Sequence, residues 1–264
     1  MRFQTFASSS AGNAALLSCG GTHILIDAGI SCRRIQAALR RQGLSLDDLA
    51  AVLITHTHTD HIAGLATLLK HCAAPIHCSE ETGRQLCYRL AGAEGRLRPF
   101  PLGGQAEAGG GRVTSVPTSH DSPGSTGYRI DAAGESLGCL TDTGVVPEAA
   151  EVLLGVDLLV LEANHDVETL RAGPYPYYLK QRVLGPRGHL SNDAAAGFAR
   201  RAAQAGTGAI LLAHLSRENN TPQMALNAVS AALSAVNYAG SLSAAPWGEP
   251  GPVIDTAPRE VVRC

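Results

Sequence analysis

Lysine is nearly missing from this chain: of 21 basic residues only Lys70 and Lys180 are lysine, and the rest are arginine. The forked guanidinium of arginine suits phosphate, although a biased composition produces the same count. Charge of one sign is also lacking. A formal net charge of −2 excludes chain-wide attraction to nucleic acid or membrane, so any polyanion must be held by a local patch. The seven cysteines (19, 32, 72, 78, 87, 139 and 264) are odd in number and include no Cys-x-x-Cys pair. That argues against a disulfide framework or a thiolate zinc site, and for reduced, mostly buried thiols. No apolar run approaches a membrane span, and Met1-Arg2-Phe3-Gln4 lacks the apolar core of a signal peptide. The expectation is a cytoplasmic protein with no membrane partner.

Core-building residues are plentiful, with 45% hydrophobic against 17% charged over 264 residues. Short apolar segments at 2–7, 14–19 and 22–27 read as strands, and Ser31 as the cap of a helix reaching Arg41. Further strands are expected at 49–54, 75–78, 97–100, 112–118, 127–131, 137–141, 157–162 and 209–213. Helices are expected at 62–71, 80–90, 147–154, 192–205 and 222–236, with Leu86 and Leu90 facing inward and Pro222 behind Thr221 as a good start. Residues 163–188 read as irregular, and 239–264 as a loop-rich tail with room for a last strand. Periodicity thus supports mixed α and β in a single domain, 1–264, without a visible repeat.

The stretch Thr55-His56-Thr57-His58-Thr59-Asp60-His61 gathers four metal-ligand side chains directly behind the apolar run at 50–54. The ligands therefore sit on the loop where a buried strand ends. Alternation along extended chain points His56 and His58 the same way, whereas Asp60 and His61 diverge unless the chain turns. One loop can offer two imidazoles to one metal, and a carboxylate and an imidazole to a second.

This His-x-His-x-Asp-His pattern resembles the signature of the metallo-β-lactamase superfamily. The resemblance implies a four-layer αββα sandwich of two mixed sheets, an α/β (α+β) fold, with three more ligands at later strand ends. His120, Asp142 and His214 stand in the right order at such ends. Carried over, His56, His58 and His120 hold one metal, while Asp60, His61 and His214 hold the other, with Asp142 bridging. Imidazole and carboxylate donors suit two divalent ions, Zn²⁺ or Mn²⁺, with Fe²⁺ as a further option. The absence of a cysteine ligand argues against β-lactam hydrolysis, and His58 stands where redox diiron relatives carry Glu. The site is therefore hydrolytic in type. Asp27, after another apolar strand, reads as a carboxylate orienting a ligand histidine, or as a simple turn residue beside Gly29.

Gly188-His189-Leu190-Ser191-Asn192 resembles an element of RNase Z-like phosphodiesterases in which the histidine protonates the leaving oxygen. Together with Ser8–Asn13, Glu162–Asp166, 175–182 and 214–220, it is similar to the YycJ (WalJ)-like metallohydrolases. That resemblance implies phosphodiester cleavage with 5′-exonuclease activity on DNA or RNA, Asp60 and His189 being catalytic. Residues 169–192 support a nucleic-acid substrate from their composition: Arg171, Lys180, Arg182, Arg187 and three tyrosines, with no acidic residue. Ser10, Asn13, Lys180, Arg182, Ser191 and Asn192 are the expected substrate contacts. Residues 143–213 are too few for the large insertion of β-CASP nucleases, and no long tRNA-gripping arm is visible. The alternatives are a small-molecule hydrolase for a cyclic phosphodiester or thioester, and a non-catalytic scaffold, which would have no need of eight intact site residues.

Overall fold

The architecture follows from apolar runs long enough to be buried on both faces. A computed structural model describes residues 1–256; residues 257–264 of the tail, with Pro258 and Cys264, lie outside the described residues. The first sheet opens with an antiparallel meander of β1 (Arg2–Ser9), β2 (Gly12–Cys19) and β3 (Thr22–Ile26). β4 (Leu49–Leu53), β5 (Ile76–Ser79) and β6 (Leu97–Phe100) then add in parallel. Their crossovers carry α1 (Cys32–Arg41), α2 (Thr59–Ile62), α3 (Leu65–His71) and α4 (Glu80–Arg89).

The second sheet repeats this plan. β7 (Gln105–Ala108), β8 (Gly111–Pro117), β9 (Thr126–Ala132) and β10 (Glu135–Leu140) run antiparallel, and β11 (Leu158–Glu162), β12 (Ala209–Ala213) and β13 (Ser241–Ala244) follow in parallel. Here the crossovers carry α5 (Val167–Ala172), α6 (Tyr177–Leu184), α7 (Asn192–Gln204) and α8 (Pro222–Ser234). β14 (Ile254–Asp255) returns to the first sheet beside β1.

Alternation sorts each strand between two cores. Ile24 and Ile26 meet Val113, Tyr128, Leu158 and Val160 between the sheets, while Leu25 packs outward with Ile35 and Leu39 of α1. On the far side Leu159, Leu161, Ile210 and Leu212 pack against Phe198 and Val229 of α7 and α8. Strands with both faces covered need continuous apolar sequence, as parallel sheets do. The expected αββα sandwich is the observed fold.

The equivalent strands β3 and β10 end in matching sequences, Leu25-Ile26-Asp27-Ala28-Gly29 and Leu140-Thr141-Asp142-Thr143-Gly144. In both, the aspartate takes a left-handed backbone, φ 58° at Asp27 and 55° at Asp142. Aspartate tolerates that conformation better than most residues, and it throws the carboxylate off the strand axis. The glycine is a matter of space. A Cβ on Gly29 would lie 1.6 Å from the Asp60 carbonyl oxygen, and one on Gly144 would lie 2.4 Å from Pro186. Each glycine lets a loop bearing functional residues close onto a strand end.

Three expectations are corrected. The helix expected at 62–71 starts earlier, at Thr59, and breaks at Gly64, where a Cβ would meet the Ile30 carbonyl at 2.1 Å. The stretch 163–188 is not irregular: Asp166 caps α5, accepting from the Thr169 amide, and Pro176 precedes α6. These helices, six and eight residues long and punctuated by Gly173, Pro174 and Pro176, are too short to show a period. The segment 147–154 forms a 3₁₀ turn, Glu148–Leu153, rather than an α-helix. Among the described residues all six cysteines are free, and no helix is long and apolar enough to cross a membrane.

Candidate metal centre

The carboxyl ends of β3 and β4 from one sheet, and of β10, β11 and β12 from the other, meet at one seam. Tyr128 donates from its hydroxyl to the Ile54 carbonyl at 2.6 Å and pins the end of β4 across the sandwich. Beyond it the chain runs extended through His56 and His58 and then turns into α2 at Thr59. That turn brings Asp60 and His61 to the same side, with Asp60 Oδ2 3.4 Å from His61 Nε2.

The donors fall into overlapping groups, each with its atoms within 4.8 Å: His56, His58 and His120; His56, His61 and Asp142; Asp60, His61 and His214; and Asp142 and His214 with Glu162 and His189. Asp142 lies between them, 3.3 Å from His61 Nε2, 3.5 Å from His214 Nδ1 and 3.9 Å from His120 Nε2. His56, His61, Asp142 and His214 are buried, whereas His58 is about a third exposed and opens the site to solvent. Three buried atoms here, His56 Nε2, Asp142 Oδ2 and His214 Nε2, have no hydrogen-bond partner. Leaving them so is costly, and divalent cations are the species that satisfy imidazole nitrogens and carboxylates converging in this way. The donor set fits two divalent ions, and no thiolate joins it among the described residues.

Burial pushes the pKa of His56 well below the ordinary histidine value. Burial acts in the same direction on His61, but Asp142 and Asp27 outweigh it and hold His61 well above that value. His214 is likewise raised to about 10, against burial, by Asp142, Asp60 and Glu162. Protons and metal compete for these nitrogens, so ion binding here is coupled to proton release.

Carboxylates behind the donors fix their orientation. Asp27 Oδ2 lies 2.7 Å from His61 Nδ1, and Asp27 also accepts from the Thr55 amide at 2.9 Å. The residue to which the sequence assigned no role is Glu162, at the end of β11 and first in the stretch Glu162–Asp166. It is fully buried and accepts four hydrogen bonds: from His189 Nδ1 at 2.9 Å, His214 Nδ1 at 2.8 Å, the Thr143 amide at 3.1 Å and the Leu190 amide at 3.0 Å. Burial alone would raise its pKa; His189 and His214 bring it down to about 2. Its carboxylate can only accept, so each imidazole carries a proton on Nδ1 and turns Nε2 outward. A glutamate ending an apolar strand, at the head of the stretch Glu162–Asp166, was the available signal.

His189 stands 5.1 Å, ring to ring, from His120 and 5.2 Å from His214. It does not cap α7; Ser191 does, accepting from the Ala194 amide. A cleft of about 660 Å³ opens beside it, lined by Arg171, Tyr177, Lys180, Gln181, His189 and Ser191 among others. Lys180 and Ser191 are thus expected substrate contacts that line the cleft, and the remaining ones are placed differently. Asn13 touches the donors themselves, with Nδ2 3.3 Å from Asp60 Oδ2 and 3.0 Å from His61 Nε2. Ser10 is exposed in the β1–β2 turn. Asn192 faces inward and is buried, exchanging two amide hydrogen bonds with Asn220. Arg182 is bound by Asp121, through Nε and Nη2 at 2.7 Å each. Lys180 donates to the Arg171 carbonyl at 2.6 Å.

This fold and donor set define a class. The profile of the beta-lactamase superfamily domain matches residues 22–215, and the chain belongs to that superfamily of metal-dependent hydrolases, its His/Asp clusters being divalent-metal donors. Within it the chain belongs to the family of YycJ and WalJ. It is 33% identical to exodeoxyribonuclease YycJ of Bacillus anthracis, over 88% of this chain and 89% of the relative. It is 35% identical to exodeoxyribonuclease WalJ of Streptococcus pneumoniae, over 85% of each. The same fold is found in the metallo-beta-lactamase fold protein YhfI of Bacillus subtilis, with a TM-score of 0.71 at 19% identity, covering 96% of this chain and 99% of that one.

Proposed function

We propose that this chain is a two-metal phosphodiesterase that removes nucleotides from DNA, starting at the 5′ end. The observation carrying this reading is the His189–Glu162 pair, placed between the metal donors and a cleft walled by Arg171, Lys180 and Tyr177. His56, His58 and His120 would hold one ion and Asp60, His61 and His214 the other, with Asp142 available to both; zinc or manganese suits these donors. When bound, such ions lower the pKa of a water and offset charge on the phosphate oxygens. Asp60 orients the attacking water. His189, protonated on both ring nitrogens, gives a proton from Nε2 to the leaving oxygen, while Glu162 holds its Nδ1–H and offsets the charge of the imidazolium. Arg171 and Lys180 neutralise phosphates flanking the scissile one, and Tyr177, 77% exposed, offers a face for a base. The names of the two relatives support DNA as the substrate.

The test is digestion of single-stranded oligonucleotides labelled at either end. Stepwise loss from the 5′ end is expected. Turnover of bis-p-nitrophenyl phosphate or a thioester without any cleavage of oligonucleotides would overturn the reading. Lys180→Ala and Tyr177→Ala are expected to raise KM for oligonucleotides while leaving bis-p-nitrophenyl phosphate turnover unchanged. For Lys180→Ala the slope of binding against log salt should also fall by about one.

A further inference from the structure

Four of the five donor imidazoles direct their outer nitrogen, Nδ1, at an acceptor. His56 meets Thr55 Oγ1 at 3.0 Å, His61 meets Asp27 at 2.7 Å, His120 meets the Gly188 carbonyl at 3.2 Å and His214 meets Glu162 at 2.8 Å. His58 is reversed. Its Nδ1 points inward, 3.2 Å from His120 Nε2, so its outer nitrogen is Nε2. That nitrogen faces Asp121 Oδ1 at 3.4 Å; this oxygen, also 3.5 Å from His120 Nε2, is buried without a hydrogen-bond partner. The other oxygen of Asp121 is held by the Arg182 guanidinium, which projects from α6. α6 also carries Lys180 and Tyr177 of the cleft.

We infer that Asp121 is the positioning residue for His58, and that Arg182 fixes Asp121 and so ties the cleft helix to the first metal position. The inference rests on the two-ion reading above. It gives Arg182 a different task from the one its sequence context suggests. A carboxylate that accepts from the outer nitrogen of a ligand histidine fixes the ring and raises its basicity. Arg182 supplies both donors to one carboxylate oxygen, so Asp121 is left with Oδ1 free to face His58. Because His58 is the most open of the five rings, it has the fewest packing contacts to hold it without such a partner.

The experiment measures ion affinities directly, by chelator competition on the full chain with Zn²⁺ and with Mn²⁺. Asp121→Asn is expected to weaken one of two ions by about 10- to 100-fold and leave the other unchanged. Arg182→Ala should weaken the same ion by a smaller factor. The double variant should lose no more than Asp121→Asn alone, since the two act in series. Both side chains are partly exposed, and melting of the variants reports whether the fold is kept. Two wild-type affinities in Asp121→Asn would overturn the inference and leave the two-ion reading standing. A higher KM for DNA in Arg182→Ala, with both ions at wild-type affinity, would also overturn it and place Arg182 on the phosphate. A wild-type chain that binds fewer than two ions would overturn both.

Discussion

His189→Ala is expected to lower phosphodiester turnover by about 10²- to 10⁴-fold while both ions remain bound. The expectation comes from where the ring sits. His189 is held through Nδ1 by Glu162, with Nε2 free, and the two clusters proposed to bind ions are complete without it. The loss should appear in kcat, because the proton is needed in the transition state rather than for binding. A substrate whose leaving group needs no proton, such as p-nitrophenolate, should lose much less than DNA does. Metal loss in this variant would instead make His189 part of the ion site; it lies near Asp142, 3.8 Å from Oδ1, so the outcome is informative either way.

The second large effect is expected at Glu162, which the reaction does not touch directly. Glu162→Gln keeps the shape but replaces an acceptor by an amide donor. One oxygen now accepts from two backbone amides, and the other from His189 and His214. Whichever way the glutamine amide turns, one pair of donors meets a donor, leaving buried groups unsatisfied at about 1–3 kcal/mol each. Stability should fall by that order. The second ion should bind about 10- to 100-fold more weakly, because His214 loses its orienting partner. Turnover should fall further still, since His189 loses the same partner. Melting, chelator competition and kcat measured on one preparation separate the three effects. A variant that only melts earlier would reduce Glu162 to a packing role.

The two effects show which parts of the site could be read from sequence. His56, His58, Asp60 and His61 were legible because four donors fall within one loop, and His120, Asp142 and His214 because each ends an apolar strand. Glu162 was not, because it looks like the last residue of β11 and its partners lie 27 and 52 residues onward. Asn192 has the same sequence context as His189 and Ser191, yet its amide turns inward to Asn220; only the three-dimensional pairing separates them. Arg182 reads as a phosphate contact until Asp121, 61 residues earlier, is seen to bind it. The two matching turns around Asp27 and Asp142 are five residues long. They become a repeat only when the strands before them occupy the same place in two sheets of one topology.

The most direct test of the two-metal account is a titration of chelator-stripped protein with Mn²⁺ or Zn²⁺. Bound ions and release of 5′-labelled nucleotide are followed together. The account predicts no release from stripped protein, and activity that rises with occupancy of both sites. His58→Ala and Asp60→Ala, prepared in parallel, should each bind fewer ions and stay inactive. Nucleotide release that persists in stripped protein, or in His58→Ala at the wild-type rate, would contradict the account.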